Sequence, residues 1–263
     1  MDLGIEGRVA LVTAGSRGLG RAVAETLAAE GARVAVCARG EADLAAAEAS
    51  VKAAGDGHVL TGSVDMAEPG ALEGFVDEVE TALGPVDLCL VNAGGPPAGV
   101  FLDLELAQWE TAYRLTLESA VRTCRRVLPG MIERGYGRIV AVTSMAVRQP
   151  VENLTLSNVI RPAVHALVKD LSLAGASCGV TINAVEPGIH VTSALERLIA
   201  AKIEQGAPSR EAVMAGWLDE IPAGRTGEPS EFAALVAFLM SAQAGYITGQ
   251  SVAPDGGMIK GTF

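Results

Sequence analysis

Three glycines, Gly15, Gly18 and Gly20, sit between an apolar run and a helical one, a spacing able to hold a phosphate. In Val9-Ala10-Leu11-Val12-Thr13-Ala14-Gly15-Ser16-Arg17-Gly18-Leu19-Gly20 the four leading apolar residues read as a buried strand. Leu19 onward reads as a helix, with apolar positions at Leu19, Val23 and Leu27. Gly15 lets the chain turn sharply off the strand, while Gly18 and Gly20 let the backbone approach a pyrophosphate and the helix pack on the sheet. The first-turn amides of that helix then face the anion. As a bare pattern the segment fits an ordinary strand-to-helix turn equally well, so its context decides.

That context is a regular alternation. Strand-like apolar runs recur at Val9 to Val12, Val34 to Cys37, Val59 to Leu60, Val86 to Val91, Ile139 to Val142, Ile182 to Val185 and Ser251 to Ala253. Helical patterns lie between them near 19–30, 41–54, 69–83, 107–134, 153–176 and 229–241. Strands too apolar to have a wet face, alternating with helices, are the signature of a parallel sheet covered on both sides. The fold class expected is α/β: one Rossmann-type doubly wound parallel sheet of about seven strands with helices on both faces. With 263 residues and 49% hydrophobic content there is enough for one large core, so 1–263 is expected to form a single dinucleotide-binding domain.

Composition excludes several function classes. A net charge of −11 argues against a nucleic-acid or anionic-membrane surface, both of which call for clustered Lys and Arg. Met1 to Glu6 lack the basic start and apolar run of a signal peptide, and no apolar stretch approaches bilayer-spanning length, so a cytoplasmic protein is expected. Cys37, Cys89, Cys124 and Cys178 are scattered without metal-ligand spacing, so no metal is expected.

In a doubly wound sheet ligands gather just after the strands. After the second run comes Ala38-Arg39, with no acidic residue at Ala38 to hold the ribose of NAD. Arg39 and Arg17 are both suited to a 2′-phosphate, which favours NADP over NAD, although either arginine also fits a solvated loop charge.

Thr13 to Gly20, with Asn92-Ala93-Gly94 and later Asn183-Ala184-Val185-Glu186-Pro187-Gly188, resemble the short-chain dehydrogenase/reductase family, in particular its 3-oxoacyl-acyl-carrier-protein reductase-like members. The motifs fall in the family's order and spacing, and the likeness runs from about Gly7 to Gly257. It implies that Gly15, Ser16, Arg17, Gly18, Leu19 and Gly20 hold the cofactor, that Asp65 and Met66 lie beside the adenine, and that Asn92, Ala93 and Gly94 support the sheet and touch the cofactor. It further implies that Pro187, Gly188 and Thr192 bind the nicotinamide carboxamide. Surfaces around the last strand and the 107–134 and 153–176 helices build dimers and tetramers in this family, so a homodimer or homotetramer is expected.

The resemblance also implies a serine after the fifth strand that hydrogen-bonds a substrate oxygen, and Ser144 stands there. A tyrosine is implied thirteen residues on and a lysine four beyond it, on one helical face. Ser157 and Arg161 occupy those positions, in a register fixed by Asn183 and Pro187-Gly188 downstream. The tyrosine gives or takes a proton as hydride moves, and the lysine lowers its pKa from about 10 toward working pH. Serine is far less acidic and stops an aromatic ring short. Arginine stays charged and relays no proton, though its fork can bind ribose hydroxyls or a carboxylate. Losing a positioned general acid costs about 10²–10⁴ in rate, so the family's own mechanism is not expected.

The family's structural asparagine falls at Thr116, which keeps one hydroxyl and loses the amide fork; a buried, satisfied threonine fits there equally. Pro162 removes a backbone donor and disfavours helical dihedrals at Arg161, so the helix is expected to start late or to kink at 161–162. Arg148, Glu152, Asn153, Asn158 and His190 lie within sequence reach of the same mouth. The segment 193–226, with short helical patterns at Ala194 to Glu204 and Ser209 to Glu220, reads as a lid over a medium-sized, partly apolar small molecule. Three functions are open: an NADP(H) oxidoreductase acting on a carbonyl or alcohol through a non-standard proton donor; a non-redox cyclase, dehydratase or isomerase on the same fold; and a catalytically silent cofactor sensor.

Overall fold

The computed structural model describes residues 1–55 and 57–262. At its centre β1 (Val9–Thr13) is buried along its whole length and alternates its side chains between two cores. Val9 and Leu11 enter one layer, Ala10 and Val12 the other, which is the period of two that an extended chain imposes. β2 (Arg33–Ala38) and β3 (Val59–Ser63) lie to one side of it. β4 (Leu88–Val91), β5 (Gly137–Val142), β6 (Val180–Val185) and β7 (Ser251–Val252) lie to the other. The order is β3-β2-β1-β4-β5-β6-β7, and every pair is parallel. Strand order reverses between β1 and β4, where a doubly wound sheet opens a crevice.

One layer consists of α1 (Gly18–Ala29), α2 (Glu41–Ala54) and, further along the chain, the helix Pro229–Met240, whose Phe232 and Val236 pack with Val23 and Leu27. The opposite layer is led by α3 (Ala71–Ala82), with Leu72, Phe75, Val76 and Val79 facing the sheet. Each such fully buried large side chain contributes roughly 1.5–3 kcal/mol.

Two sequence expectations about the second layer are corrected. The stretch read as one helix over 107–134 is three segments: α4 (Leu106–Tyr113), a π-helical turn over Arg114–Glu118, and α5 (Ser119–Arg134). Ala112 of α4 packs with Leu156 and Ile160, whereas Ala120, Cys124, Val127 and Met131 of α5 face the main core. The wide turn re-aims the apolar stripe between these two targets, and Thr116 lies inside it. Helix α6 (Thr155–Gly175) passes through Pro162 without the late start or break expected there. Leu156, Ile160, Val164 and Val168 bury one continuous face, and that burial offsets the roughly 3 kcal/mol an internal proline costs.

After β6, α7 (Ser193–Glu204) and α8 (Arg210–Glu220) pack on each other, and the helix Pro229–Met240 is α9. Leu195, Ile199 and Val213 are buried with Met214 and Trp217 against Ile189, while Leu218 joins Met145, Ile221 and Met258. The apolar residues of segment 193–226 therefore stitch it to the loop after β6. Among the described residues, no helix is long and apolar enough to cross a membrane.

Candidate functional site

The glycines of the β1–α1 turn divide their work. A Cβ on Gly15 would stand 2.7 Å from Val12 Cγ1 and 2.9 Å from Val36 Cγ1, so no side chain fits where the chain leaves the strand. A Cβ on Gly20 would meet the Ala14 carbonyl oxygen at 2.7 Å and Gly15 Cα at 3.0 Å, so Gly20 serves the packing of α1 on the turn. Gly18 has φ +53, and a Cβ there would stand 3.3 Å from Thr192 Cγ2, so the loop after β6 lies close to the glycine turn. Ser16 is buried, and the partly buried Leu19 packs against the core layer that contains α1. Helix α1 starts without a side-chain cap and without an acid in its first turn. Its leading amides and the positive end of its dipole are thus offered to an external anion.

Beside this turn stand two arginines, each with a carboxylate. Arg17 Nη2 donates to Asp43 Oδ2, a contact that raises the Arg17 pKa above its ordinary value, and Arg39 Nη1 lies 3.9 Å from Asp65 Oδ2. Asp65 Oδ1 also accepts the Ala67 amide at 3.0 Å, fixing the turn after β3. The Met66 side chain is core, and its carbonyl accepts from Arg122. Asn92 donates its amide to Thr13 Oγ1 at 2.8 Å and its side-chain nitrogen to Ala14 O at 3.4 Å, stitching the end of β4 to the glycine turn. Ala93 and Gly94, the latter with φ +74, continue that edge.

Further along the same edge, Ser144 follows β5. Its Oγ accepts the Ala146 amide at 3.1 Å, which leaves its own proton to donate outward. Ser157, 7% exposed, accepts from Arg161 Nε at 3.0 Å across one turn of α6. Arg161 Nη1 donates to Thr143 O at 2.7 Å and Val142 O at 3.2 Å, and Nη2 to Gly94 O at 3.2 Å. The guanidinium therefore clamps the ends of β4 and β5 together. Withdrawal from water pushes its pKa down to about 10, so it remains protonated at neutral pH. Thr116 Oγ1 is buried without a hydrogen-bond partner among the described residues, beside a cavity of about 10 Å³ lined also by Asn92, Gly94, Ser119 and Arg161. That is room for about one water molecule.

The other polar residues near the mouth are engaged elsewhere. Asn158 pairs with both backbone groups of Val151. Asn153 Nδ2 donates to Gln205 Oε1 at 3.4 Å, and Glu152 lies 4.0 Å from Lys202, both at the end of α7. His190 is buried edge-on to Phe232, its Nδ1 3.2 Å from Gly188 O, and burial lowers its pKa. Burial likewise pushes the Cys37 and Cys124 thiols up to about 12, which makes them inert core residues.

In the loop after β6, Pro187 O accepts the Met145 amide at 3.4 Å and Gly188 N donates to Pro254 O at 3.2 Å. A Cβ on Gly188 would meet Asp255 Cα at 2.7 Å. Thr192 Oγ1 caps α7 by accepting from Leu195 at 3.3 Å. The residue that sequence reasoning passed over here is Glu186, 0% exposed. Its carboxylate takes Arg148 Nε at 2.5 Å and the Ser251 hydroxyl, with His165 Nδ1 at 3.3 Å. The available signal was a carboxylate directly after a strand that carries Val180, Ile182, Ala184 and Val185, a position where a charge needs partners.

The family model for enoyl-(acyl carrier protein) reductase matches residues 13–259. The chain is 32% identical over 256 residues to 3-oxoacyl-[acyl-carrier-protein] reductase of Escherichia coli, covering 97% of this chain and 99% of that one. It is 30% identical over 252 residues to acetoacetyl-CoA reductase of Allochromatium vinosum, covering 95% and 98%. Among solved structures it is similar to L-sorbose reductase from Gluconobacter frateurii complexed with NADPH and L-sorbose, with TM-score 0.94 and 30% identity over 99% of this chain and 100% of that one. It is also similar to an actinorhodin polyketide ketoreductase with NADPH, with TM-score 0.91 and 32% identity over 95% and 97%.

Proposed function

The chain belongs to the short-chain dehydrogenase/reductase family, and from that premise we propose that it is an NADP(H)-dependent oxidoreductase interconverting a carbonyl and an alcohol on a medium-sized, partly apolar small molecule. The observation that carries this reading is the uncapped, acid-free start of α1, flanked by Arg17 and Arg39, on the same sheet edge as the free proton of Ser144. Relatives and structural neighbours that are reductases, two of them complexed with NADPH, support it. A nicotinamide dinucleotide, when bound, supplies or takes the hydride.

The chain's own residues do the rest. The α1 amides hold the pyrophosphate, Arg17 and Arg39 hold the 2′-phosphate, and Pro187, Gly188 and Thr192 face the nicotinamide end. Ser144 donates its hydroxyl to the substrate oxygen and fixes its orientation. Ser157 and Arg161 stand in for the family's tyrosine and lysine, with Arg161 as a positioning residue. It stays charged and spends its donors on Ser157, Thr143, Val142 and Gly94. The proton is drawn from water, and the water-sized space beside Thr116 and Arg161 supports that route. Helices α7 and α8 cover the substrate. Exposed Leu106, Tyr113, Val159 and Leu173 on α4 and α6, with the neighbouring π turn, are the apolar surface for a homodimer or homotetramer.

The test has two steps. NADPH added to the full chain quenches tryptophan emission or shows fluorescence transfer, and NADPH absorbance then falls in the presence of a panel of ketones and diones. A protein that binds NADPH and turns over nothing contradicts the redox reading. It would favour the second one, a non-redox enzyme or a cofactor sensor on this fold. What favours that alternative is specific: Ser157 and Arg161 stand where the family's tyrosine and lysine would handle the proton, and neither is suited to that task.

A further inference from the structure

Arg17 and Arg39 flank the end of β2, where the adenosine ribose lies in a doubly wound fold, yet neither stands alone. Asp43, in the first turn of α2, takes the Arg17 guanidinium directly. Its Oδ2 lies 2.9 Å from where a Cβ on Gly40 would stand, so the carboxylate sits over the residue that follows Arg39. The Arg17 side chain is 56% exposed and that of Asp43 30%, so the pair sits at the surface of the subsite. We infer that Asp43 is the internal competitor of the 2′-phosphate, a residue that sets how strongly this chain prefers NADP(H) to NAD(H). The inference rests on the dinucleotide reading above.

The physical argument concerns what must be displaced. A 2′-phosphate seeking Arg17 has to take donors already held by a carboxylate, and it brings a charge of about −1.5 to −2 into the neighbourhood of that same carboxylate. An exposed ion pair of this kind is weak enough to exchange, so the site opens on binding. A cofactor with a free 2′-hydroxyl makes no such demand and leaves the pair intact. Removing the Asp43 charge therefore favours the phosphorylated ribose alone, and the gain shrinks as salt screens it.

Isothermal titration of the full chain with 2′,5′-ADP and with 5′-AMP reads this subsite without any turnover. Asp43→Asn is expected to bind 2′,5′-ADP about three- to tenfold more tightly than the wild type and 5′-AMP equally. On an Arg17→Met background the same change is expected to give a smaller gain, because only the repulsion between Asp43 and the phosphate is left to relieve. Unchanged or weaker 2′,5′-ADP binding by Asp43→Asn, with 5′-AMP still bound, overturns the inference and leaves the dinucleotide reading standing. That result would mean that Asp43 holds Arg17 ready for the ligand. Absence of binding of both nucleotides to both proteins overturns the dinucleotide reading and the inference together.

Discussion

The two ends of the sheet edge treat their polar groups in opposite ways. At the glycine turn, α1 begins with amides that no side chain caps, and space is guarded by glycines whose Cβ atoms would collide with backbone or core. At the Ser144 end, Ser157 is buried under Arg161, and Arg161 is held by three backbone carbonyls as well. Groups left without internal partners are poised for a ligand, whereas groups with a full set of partners hold the fold. On the proposed reading, recognition lies at the phosphate end, and the reaction end offers the Ser144 and Ser157 protons, each hydroxyl only accepting from the protein, and the space beside Thr116.

The strongest way to break the contrast is at Gly20. Gly20→Val drives a side chain into the Ala14 carbonyl, and overpacking of this kind costs about 1–3 kcal/mol. NADPH affinity is expected to fall roughly 100-fold while circular dichroism shows the fold retained; unchanged affinity would detach the turn from the cofactor. Ser144→Ala comes next. Loss of a donor to the reacting oxygen is expected to lower kcat about 10²-fold with NADPH affinity unchanged, and an unaltered kcat would remove Ser144 from the reaction.

Arg161→Ala probes the clamp. Leaving the Val142, Thr143 and Gly94 carbonyls without their donor is expected to cost about 1–3 kcal/mol of stability, read by urea unfolding. Arg161→Lys should recover only part of it, since an ammonium lacks the planar fork. A loss of turnover in Arg161→Lys at unchanged stability would instead move Arg161 into the chemistry.

The smallest effect belongs to His190, which serves neither end. Burial lowers its folded pKa below the ordinary 6.5, so the unfolded chain binds the proton more readily. Its contribution to stability is therefore full above pH 6.5 and lost as pH falls through the folded value. The melting temperature of the wild type is expected to drop more steeply over that interval than that of His190→Gln, with turnover of the variant within about twofold. Parallel acid slopes would show that the ring is not buried as described.

The sheet and the glycine turn were legible because their signals are local. Continuous apolar runs make buried parallel strands, and Gly15, Gly18 and Gly20 carry their reason in their spacing. The late start expected at Pro162 failed because a local backbone rule competed with a buried face, Leu156, Ile160, Val164 and Val168, that only the tertiary structure supplies. The π turn at Thr116 was invisible for a related reason: its apolar spacing resembles that of an ordinary helix, and its two packing targets lie in different parts of the core. Partners distant in sequence were beyond reach. Asp43 lies 26 residues from Arg17, Gly94 lies 67 from Arg161, and Ser251 lies 65 from Glu186. Each of those side chains changes its chemical meaning once its partner is known.

We propose that a cofactor cradle is kept beside a reaction end where Ser157 and Arg161 hold the fold instead of handling the proton. The most direct measurement is steady-state NADPH oxidation by the Ser157→Tyr, Arg161→Lys double variant against the wild type, on the same ketone panel and at equal NADPH saturation. A gain in turnover with NADPH affinity preserved is the predicted result. A double variant that binds NADPH as well as the wild type yet turns over no faster would contradict it.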